Sequence, residues 1–441
     1  MDSLPDFPWD SLAPYKERAS SHIGGLVDLS VGTPVDPTPD VVRAALAATT
    51  EAHGYPQTWG TPELREAVAA WFARRRGVPD VNPDGVLPTV GSKEMVAWLP
   101  TLLGAGPGDV VGFPALAYPT YDVGARLAGA SPQPMAGLTK VGQLPALASM
   151  SSATTPKLLW VNSPSNPTGQ VLGVDDLAKV VGWARQHGVI VASDECYAEL
   201  DWRSPDVADV ADVADVADVA DLADLADPAN LANLANLATG DARTLPAAGA
   251  VPSILDPRVC DGSQEGLLAV YSLSKQSNMA GYRAAFMAGD PALVRRILEI
   301  RKHAGMMVPW PIQQAMVAAL GDDTHVAQQK ARYRERRGRL KTALEQAGYH
   351  IDHSEAGLYL WTTRSGRGDQ GDFDIEAGTR VGTRVDTDWS LVAEMADLGI
   401  LVAPGVFYGS AGARHVRIAL TATDERIEAA VGRLSHHVQR V

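Results

Sequence analysis

The chain has 441 residues, 46% of them apolar and 20% charged, so it is long enough for one large and one smaller domain and has the composition of a folded, soluble protein. Its formal net charge of −14 argues against a general nucleic-acid binder, because phosphate contacts need clustered Lys and Arg. The two cysteines, Cys196 and Cys260, lack the spacing of a disulfide framework or of a structural zinc site.

The N-terminal segment combines a polar start with a short apolar run. MDSLPDFPWD lacks the basic and apolar regions of a signal peptide, and no run in the chain approaches the roughly 20 apolar residues that span a bilayer. We therefore expect a cytoplasmic protein that binds neither membrane nor nucleic acid. Residues 1–45, which contain the run VDLSVG ending at Gly32, are expected to pack with a smaller C-terminal domain.

Residues 46–290 have the rhythm of a large α/β domain, in which short apolar runs alternate with polar loops and helical patterns. The runs are GVLPTV (85–90), DVVGF (109–113), KLLWV (157–161), GVIVAS (188–193) and LLAVYS (267–272). Their continuous apolar character predicts strands covered on both faces, as in a parallel sheet. AAFMAG (284–289) follows closely on the last of them and predicts an antiparallel neighbour.

Two segments interrupt this pattern. Within a predicted low-complexity insertion at 204–250, residues 206–238 form eleven triplets of Asp or Asn, then Val, Leu or Pro, then Ala. An irregular surface insertion is the favoured interpretation, and a small solenoid-like stack of turns is the alternative. Residues 364–386 are predicted to form a second, loop-like insertion.

Residues 291–441 change to long helices, one of them across His325 to Gly348, with the strand-like pieces GLYLWT, ILVAP and HVRIALT between them. Together with residues 1–45, this part predicts a smaller α+β domain that is discontinuous in sequence.

The first two candidate motifs follow apolar strands and could bind a cofactor. After PTV, Gly91 and Ser92 open a helix, whose free backbone N–H groups suit a phosphate. Helix capping without a ligand is the alternative. After KLLWV, the sequence from Asn166 to Gly169 is a strong turn signal, and the Asn166 amide could also donate to an oxygen on a cofactor ring.

The next two motifs bring charge to the same edge of the sheet. Asp194 ends an apolar strand and suits a protonated ring nitrogen, although a helix N-cap is an equally simple explanation. Cys196 is expected to pack as a small apolar residue. Lys275, in YSLSKQSNMAGYR, follows another strand; alone it suggests a solvated loop lysine, but Ser272 and Arg283 beside it could hold a phosphate.

Taken together, these motifs resemble the class I/II aminotransferases of pyridoxal 5′-phosphate (PLP) fold type I. SLSK with Arg eight residues after the Lys, D-x-x-Y after a strand, and NPTG occur in that family's order and at its spacing. The resemblance covers nearly the whole chain outside the two insertions, from LSVGTP to HVRIAL. It implies a large domain with a mostly parallel sheet flanked by helices, a smaller α+β domain, and PLP as cofactor.

The resemblance also assigns roles around the cofactor ring. Lys275 would hold PLP as a Schiff base and serve as catalytic base, and Asp194 would pair with the ring nitrogen. Tyr197 and Asn166 would hydrogen-bond the ring's phenolate oxygen, and Tyr118 in AYPTY would stack on the ring.

Further roles concern the cofactor phosphate and the substrate. The phosphate would be held by Ser92, Lys93 (through its backbone), Ser272 and Arg283, and by Tyr55 from the neighbouring subunit of a homodimer. Arg417 would clamp the substrate carboxylate, with Gly32 and Asn166 close to it.

The implied reaction moves an amino group between glutamate and a keto acid. The sequences GYPQTWGTPELREAVAAWFARRRG and SDECYAELDW most resemble those of the succinyldiaminopimelate aminotransferases of actinobacteria. That resemblance implies N-succinyl-2-amino-6-ketopimelate and N-succinyl-LL-2,6-diaminopimelate as substrates, in lysine biosynthesis. An aspartate or aromatic aminotransferase and a C–S β-lyase are the alternatives on the same fold.

Two other classes are disfavoured. A PLP-binding regulator without turnover would carry a basic DNA-binding domain, and neither terminus supplies one. In a dinucleotide-binding dehydrogenase the glycine cluster follows a strand, whereas GAGPGD at 104–109 precedes one. No metal site is expected.

Overall fold

The computed structural model describes residues 4–136, 138, 155–203, 250–364 and 387–438. The predicted insertions at 204–250 and 364–386, including the triplets at 206–238, lie outside the described residues except for positions 250 and 364 at their edges.

Thirteen strands and thirteen α-helices are found within the described residues. The strands are β1 Val27–Asp28, β2 Val86–Val90, β3 Val110–Pro114, β4 Ser131–Met135, β5 Leu158–Asn162, β6 Ile190–Asp194, β7 Leu267–Ser272, β8 Ala284–Gly289, β9 Tyr349–Asp352, β10 Tyr359–Arg364, β11 Ile400–Leu401, β12 Ala403–Pro404 and β13 Val416–Ala419. The helices are α1 Ala13–Ser20, α2 Asp40–Ala48, α3 Pro62–Trp71, α4 Ser92–Leu102, α5 Thr120–Leu127, α6 Val174–His187, α7 Pro257–Cys260, α8 Leu273–Gln276, α9 Pro291–Ala304, α10 Trp310–Gly321, α11 Thr324–Gln346, α12 Asp388–Asp397 and α13 Asp424–Val438.

A seven-stranded sheet in the order β2-β8-β7-β6-β5-β3-β4 forms the centre of the molecule. Its pairings are parallel from β7 to β4, whereas β8 runs antiparallel to both β7 and β2, as predicted for AAFMAG. The fold is therefore α/β with a mostly parallel central sheet. The five apolar runs predicted as strands are confirmed within one or two residues at each end.

Both faces of this sheet are buried, because successive side chains of a strand point to opposite sides. On β5, Leu159 and Val161 belong to one apolar core, and Leu158 and Trp160 belong to another. All four side chains are fully buried. The carboxyl ends of the parallel strands are thus held rigidly at one edge, which is where the candidate site lies.

The strands β4 and β9 were not predicted from the sequence. Strand β4 reads SPQPM, and its two prolines would argue against a central strand; it lies at the sheet edge, where a missing N–H group is tolerated. Strand β9 is short and half polar, so its alternation gives a weak signal.

A second, four-stranded sheet in the order β12-β13-β10-β9 is antiparallel throughout. Strand β1 pairs in parallel with β11, so the N-terminal run VDLSVG contacts the C-terminal part of the chain. The division of the chain into a large and a small domain at residues 45 and 290 stays a prediction. Buried residues of α10, among them Ala315 and Met316, belong to an apolar core of the seven-stranded sheet.

None of the helices in the described ranges combines the length and the apolar character that crossing a membrane requires.

Candidate active site

A cavity of about 650 Å³ lies at the carboxyl ends of β5, β6 and β7. Eleven of the twelve residues predicted for the site line it: Gly32, Ser92, Lys93, Tyr118, Asn166, Asp194, Tyr197, Ser272, Lys275, Arg283 and Arg417. The twelfth, Tyr55, lies outside this cavity and is 97% exposed. Residues drawn from eight separate stretches of sequence thus meet at one cavity, at the sheet edge where open α/β sheets bind their ligands.

Asp194 is the buried anion of the cavity. Its carboxylate accepts a hydrogen bond from the Tyr121 hydroxyl at 2.9 Å and one from the Cys196 backbone N–H at 3.2 Å. Burial raises the pKa of Asp194, while these hydrogen bonds and the charge of Lys275 act in the opposite direction. A cation placed against this carboxylate would therefore be strongly favoured.

Cys196 lines the cavity next to this carboxylate but is suited to packing rather than to chemistry. Burial, followed by the charge of Asp194, raises the pKa of the Cys196 thiol well above its ordinary value. Only the thiolate is a good nucleophile, so the protonated thiol is inert.

Lys275 projects from α8, a single helical turn that follows directly on β7. Ser272 caps that turn, since its hydroxyl oxygen accepts the backbone N–H of Ser274 at 3.2 Å. The same hydroxyl donates to the Ser274 hydroxyl at 2.9 Å. The Lys275 side chain is half-buried, and its charge acts on Asp194 and on Tyr118.

A cradle for an anion lies at the start of α4. Gly91 precedes this helix with φ at +76°, and among the described residues no side chain caps the helix. A methyl group added at Gly91 would lie 2.0 Å from an Nη atom of Arg283, so the guanidinium occupies the space that a side chain would need. The helix start, with Ser92 and Lys93, and the Arg283 cation thus face one corner of the cavity.

Arg417 forms the other cationic end. Its Nη1 donates to Asn166 Oδ1 at 3.1 Å and its Nη2 to the Ser30 carbonyl at 2.8 Å. Its Nε is buried and has no hydrogen-bond partner among the described residues. Each Nη carries a second hydrogen, so this guanidinium keeps donors for an anionic ligand.

Asn166 is fixed from two sides. Its backbone N–H donates to Asn162 Oδ1 at 2.8 Å, and its own Oδ1 accepts from Arg417. Asn162 also donates to the Asp194 carbonyl at 3.0 Å, which ties the ends of β5 and β6 together. With its oxygen occupied, Asn166 offers its amide N–H groups to the cavity.

Three features of the site were not predicted from the sequence. The Tyr121 hydroxyl holds Asp194, and Tyr121 follows Tyr118 by three residues, a helical spacing that could have indicated a shared face. Asn162 is the last residue of β5, just as Asp194 is the last residue of β6 and Ser272 the last residue of β7. Tyr359 of β10 lines the cavity from the four-stranded sheet, and no local pattern indicates it.

The N-terminal segment also lines the cavity, through residues 4–9. Trp9 packs against Phe407, with ring centroids 5.2 Å apart, and meets Tyr408 edge-on. Phe7 remains 56% exposed and lies 5.7 Å from the Lys93 ammonium nitrogen. The segment thus adds the apolar side chains of Leu4, Phe7 and Trp9 to the lining of the cavity, beside the charged side chains of Asp6 and Lys93.

These residues fit PLP. An amine, a buried carboxylate, an anion cradle and a second guanidinium face one cavity, whose volume lies in the usual range for small-molecule sites. The Arg417 Nε without a partner and the space filled by Arg283 at Gly91 are observations of the chain itself, and both suit a ligand that carries anionic groups.

Comparison with known proteins points to the same chemistry. The sequence model described as "Aminotransferase class I and II" matches residues 25–434. The chain is 50% identical over 435 residues to the 4-dedimethylamino-4-oxo-anhydrotetracycline transaminase of Streptomyces rimosus. That match covers 99% of this chain and 100% of the relative. It is 49% identical to a probable aminotransferase of Mycobacterium tuberculosis, over 98% of this chain and 86% of the relative.

Among solved structures, an aminotransferase from Neisseria meningitidis superposes with a TM-score of 0.76 at 27% identity. That match covers 100% of this chain and 98% of the other.

Proposed function

Because the chain belongs to the class I and II aminotransferases, a PLP-dependent family, we propose that it transfers the amino group of glutamate to a keto acid and that the cavity at the end of β7 is its active site. The observation that carries this proposal is the meeting of Lys275, Asp194 and Arg417 in one cavity. Each supplies a different requirement of the reaction: an amine, an anion for a cationic ring, and a clamp for a carboxylate.

The division of work follows from these groups. When bound, PLP supplies an aldehyde and an aromatic ring that accepts electrons from the substrate. Asp194 would keep a proton on the ring nitrogen, and that contact would offset the penalty of burying its carboxylate. Ser92, Ser272 and Arg283, which line the cavity, would hold the phosphate.

The remaining side chains act on the substrate. Arg417 binds the α-carboxylate, and the glycine at position 32 lets the backbone come close to it. The Lys275 amine then holds and moves the proton at the substrate's Cα.

The keto acid that we propose is N-succinyl-2-amino-6-ketopimelate, which would yield N-succinyl-LL-2,6-diaminopimelate for lysine biosynthesis. The sequences around Tyr118, Asp194 and Lys275 support this choice, since they resemble those of succinyldiaminopimelate aminotransferases.

A second candidate acceptor is a larger, polycyclic ketone. The Streptomyces rimosus relative acts, by its name, on a 4-oxo-anhydrotetracycline, and the mouth of the present cavity is lined by Leu4, Phe7 and Val31, which are all exposed and apolar. Apolar walls of this kind suit a flat hydrophobic substrate.

A homodimer belongs to the same proposal. Tyr55 is 97% exposed, which leaves its hydroxyl available to the phosphate end of a neighbouring subunit's site.

The test is a direct assay of the purified protein with glutamate as donor. The acceptors are N-succinyl-2-amino-6-ketopimelate, 2-oxosuccinate, phenylpyruvate and a 4-oxo-anhydrotetracycline, and the measured product is 2-oxoglutarate. We expect the highest kcat/KM with the succinyl acceptor. Preference for phenylpyruvate or 2-oxosuccinate would favour a general aminotransferase, and preference for the polycyclic ketone would favour the second candidate.

Two lysine variants make the assay specific. Lys275→Ala is expected to abolish turnover and the absorption band of the Schiff base with PLP, because that Schiff base forms on the Lys275 amine. Lys302→Ala is the matched control, since Lys302 is an exposed lysine paired with Glu299 on α9. Equal activity of the two variants would contradict the proposed site.

A further inference from the structure

Tyr359 touches two residues of the proposed site at once. Its ring lies under the guanidinium of Arg417, with the Arg417 Cζ 3.8 Å from the ring centroid. Its hydroxyl lies 3.2 Å from the hydroxyl of Tyr197, and the two rings meet edge to face at 5.7 Å. Tyr359 is 5% exposed, and the residue belongs to the wall of the cavity.

The antiparallel pairing of β10 and β13 explains the ring contact. Tyr359 is paired with Ala419, and Arg417 is two positions away on the same face of β13. Diagonal neighbours across two strands lie within reach of long and aromatic side chains. The ring of Tyr359 therefore supports the guanidinium from below, at the same time as Asn166 and Ser30 hold its Nη atoms.

The hydroxyls of Tyr197 and Tyr359 share one hydrogen bond, in which either oxygen could be the donor. A tyrosine hydroxyl has one proton, so Tyr197 can donate into the cavity only if it accepts, rather than gives, the bond to Tyr359. The Arg417 cation lies against the Tyr359 ring, and a nearby cation makes a phenol a better donor. Donation by Tyr359 is therefore the direction that leaves the Tyr197 proton for the cavity.

The space around this hydroxyl is tight. A Cβ added at Gly32 would lie 2.2 Å from the Tyr359 oxygen, so the glycine at this position leaves room for the hydroxyl. The hydroxyl therefore stands between the backbone at Gly32 and the hydroxyl of Tyr197, which are parts of the substrate end and of the cofactor end of the site.

We propose that Tyr359 is a positioning residue of this site, whose hydroxyl donates to Tyr197 so that Tyr197 can donate to the cofactor's ring oxygen, and whose ring holds Arg417 in place for the substrate carboxylate. This inference rests on the proposed function. It adds a residue that acts through two others and links the cofactor end of the cavity to its substrate end.

The hydroxyl is tested with Tyr359→Phe, which keeps the ring. A donor to the ring oxygen stabilises the more negative, deprotonated state of the bound cofactor, and cooperative hydrogen bonds strengthen that donor. The variant should therefore raise the pH midpoint of the cofactor's visible absorption by a few tenths to about one pH unit. A shift of this size corresponds to a change of up to about tenfold in the protonation equilibrium of the bound cofactor. In a Tyr197→Phe background, the same change should have no further effect.

The ring is tested separately with Tyr359→Leu. Loss of the platform under Arg417 should raise the KM for glutamate by about two- to tenfold, in keeping with a cation–π contact, whereas Tyr359→Phe should leave that KM within about twofold of wild type. Tyr333→Phe, at a fully buried tyrosine of α11 outside the cavity, is the matched control and should change neither quantity.

Two results would overturn the proposal: an unchanged midpoint in Tyr359→Phe, or an equal shift with and without the Tyr197 hydroxyl. Circular dichroism of each variant checks that it is folded. If Tyr359→Leu fails to fold, Tyr359→Phe still tests the proposal. The titration needs only bound PLP. A protein that binds PLP and transfers no amino group to any acceptor would thus contradict the proposed function without affecting this test.

Discussion

Two adjacent acidic residues at the end of β6 illustrate how side-chain alternation builds the site. Asp194 faces the cavity, while Glu195 points into the core, where it pairs with the buried Arg76 at 3.0 Å. Burial raises the pKa of both carboxyl groups, and Arg76 counteracts this at Glu195. Asp194 has no such arginine among its hydrogen-bond partners in the described part of the chain, so its carboxylate is open to the cationic cofactor ring of the proposed function.

At the residue scale, we predict that Gly91→Ala weakens PLP binding. The new methyl group would lie 2.0 Å from Arg283 Nη2 and would displace the guanidinium from the phosphate corner, in addition to straining a backbone with φ at +76°. Losing a charge-assisted contact to phosphate should cost about tenfold or more in PLP affinity, measured by fluorescence titration of the apoprotein.

Gly188→Ala is the control for this change. Gly188 has φ at +64° at the end of α6, and a methyl group there would meet nothing within 4 Å. Both variants should lose about 1 kcal/mol of stability from backbone strain, but only Gly91→Ala should bind PLP more weakly. Equal affinities of the two variants would remove Gly91 and Arg283 from the phosphate site.

At the scale of elements, the turn that carries Lys275 is anchored from behind by a chain of hydrogen bonds. The Ser277 hydroxyl lies 2.8 Å from His325 Nε2, and His325 Nδ1 lies 2.7 Å from Asp322 Oδ2. Ser277 is fully buried, and His325 stands in the first turn of α11. The order of residues resembles a hydrolase triad, but the buried serine has no access to a substrate, so the arrangement joins α8 to α11.

We predict that His325→Ala lowers the free energy of unfolding by about 1–3 kcal/mol, because it leaves the buried Ser277 hydroxyl without this partner. Chemical denaturation of His325→Ala, Ser277→Ala and the double variant measures the coupling. The double variant should be little less stable than His325→Ala alone, since the two residues share one interaction. Strictly additive losses would show that the contact contributes nothing.

At the scale of the whole molecule, ion pairs as well as strand pairing connect the N-terminal part of the chain to the C-terminal helices. Both Nη atoms of the buried Arg336 on α11 donate to the Asp36 carboxylate, at 2.6 and 2.8 Å. The Nε of the same arginine donates to Asp424 at 2.7 Å, at the start of α13. Residues far apart in sequence thus converge at Asp36, four residues after Gly32.

This pair gives a prediction for acid stability. Burial raises the pKa of Asp36, but the hydrogen bonds from Arg336 and Gln329 outweigh it, so the pKa lies below the ordinary value of 3.8. A carboxyl group with a lowered pKa stabilises the folded state above pH 3.8, and that stabilisation is lost as the pH falls through the folded-state pKa. Thermal unfolding of wild type and Asp36→Asn should therefore differ at pH 7 and converge in strong acid. A difference that is the same at every pH would exclude the ion pair as its cause.

Much of the fold and most of the residues that line the cavity could be predicted from the sequence, because continuous apolar runs specify buried parallel strands and the motifs that follow those runs are local. Asn166, Asp194 and Lys275 were predicted from such motifs and from the family resemblance, and all three line the cavity, whereas Asn162, directly after the run KLLWV, was missed. Other contacts depend on chain segments that only folding brings together: 73 residues separate Tyr121 from Asp194, and 162 separate Tyr197 from Tyr359. No local pattern encodes such pairs, because they depend on strand order and on the packing of two sheets, and these only the tertiary structure decided.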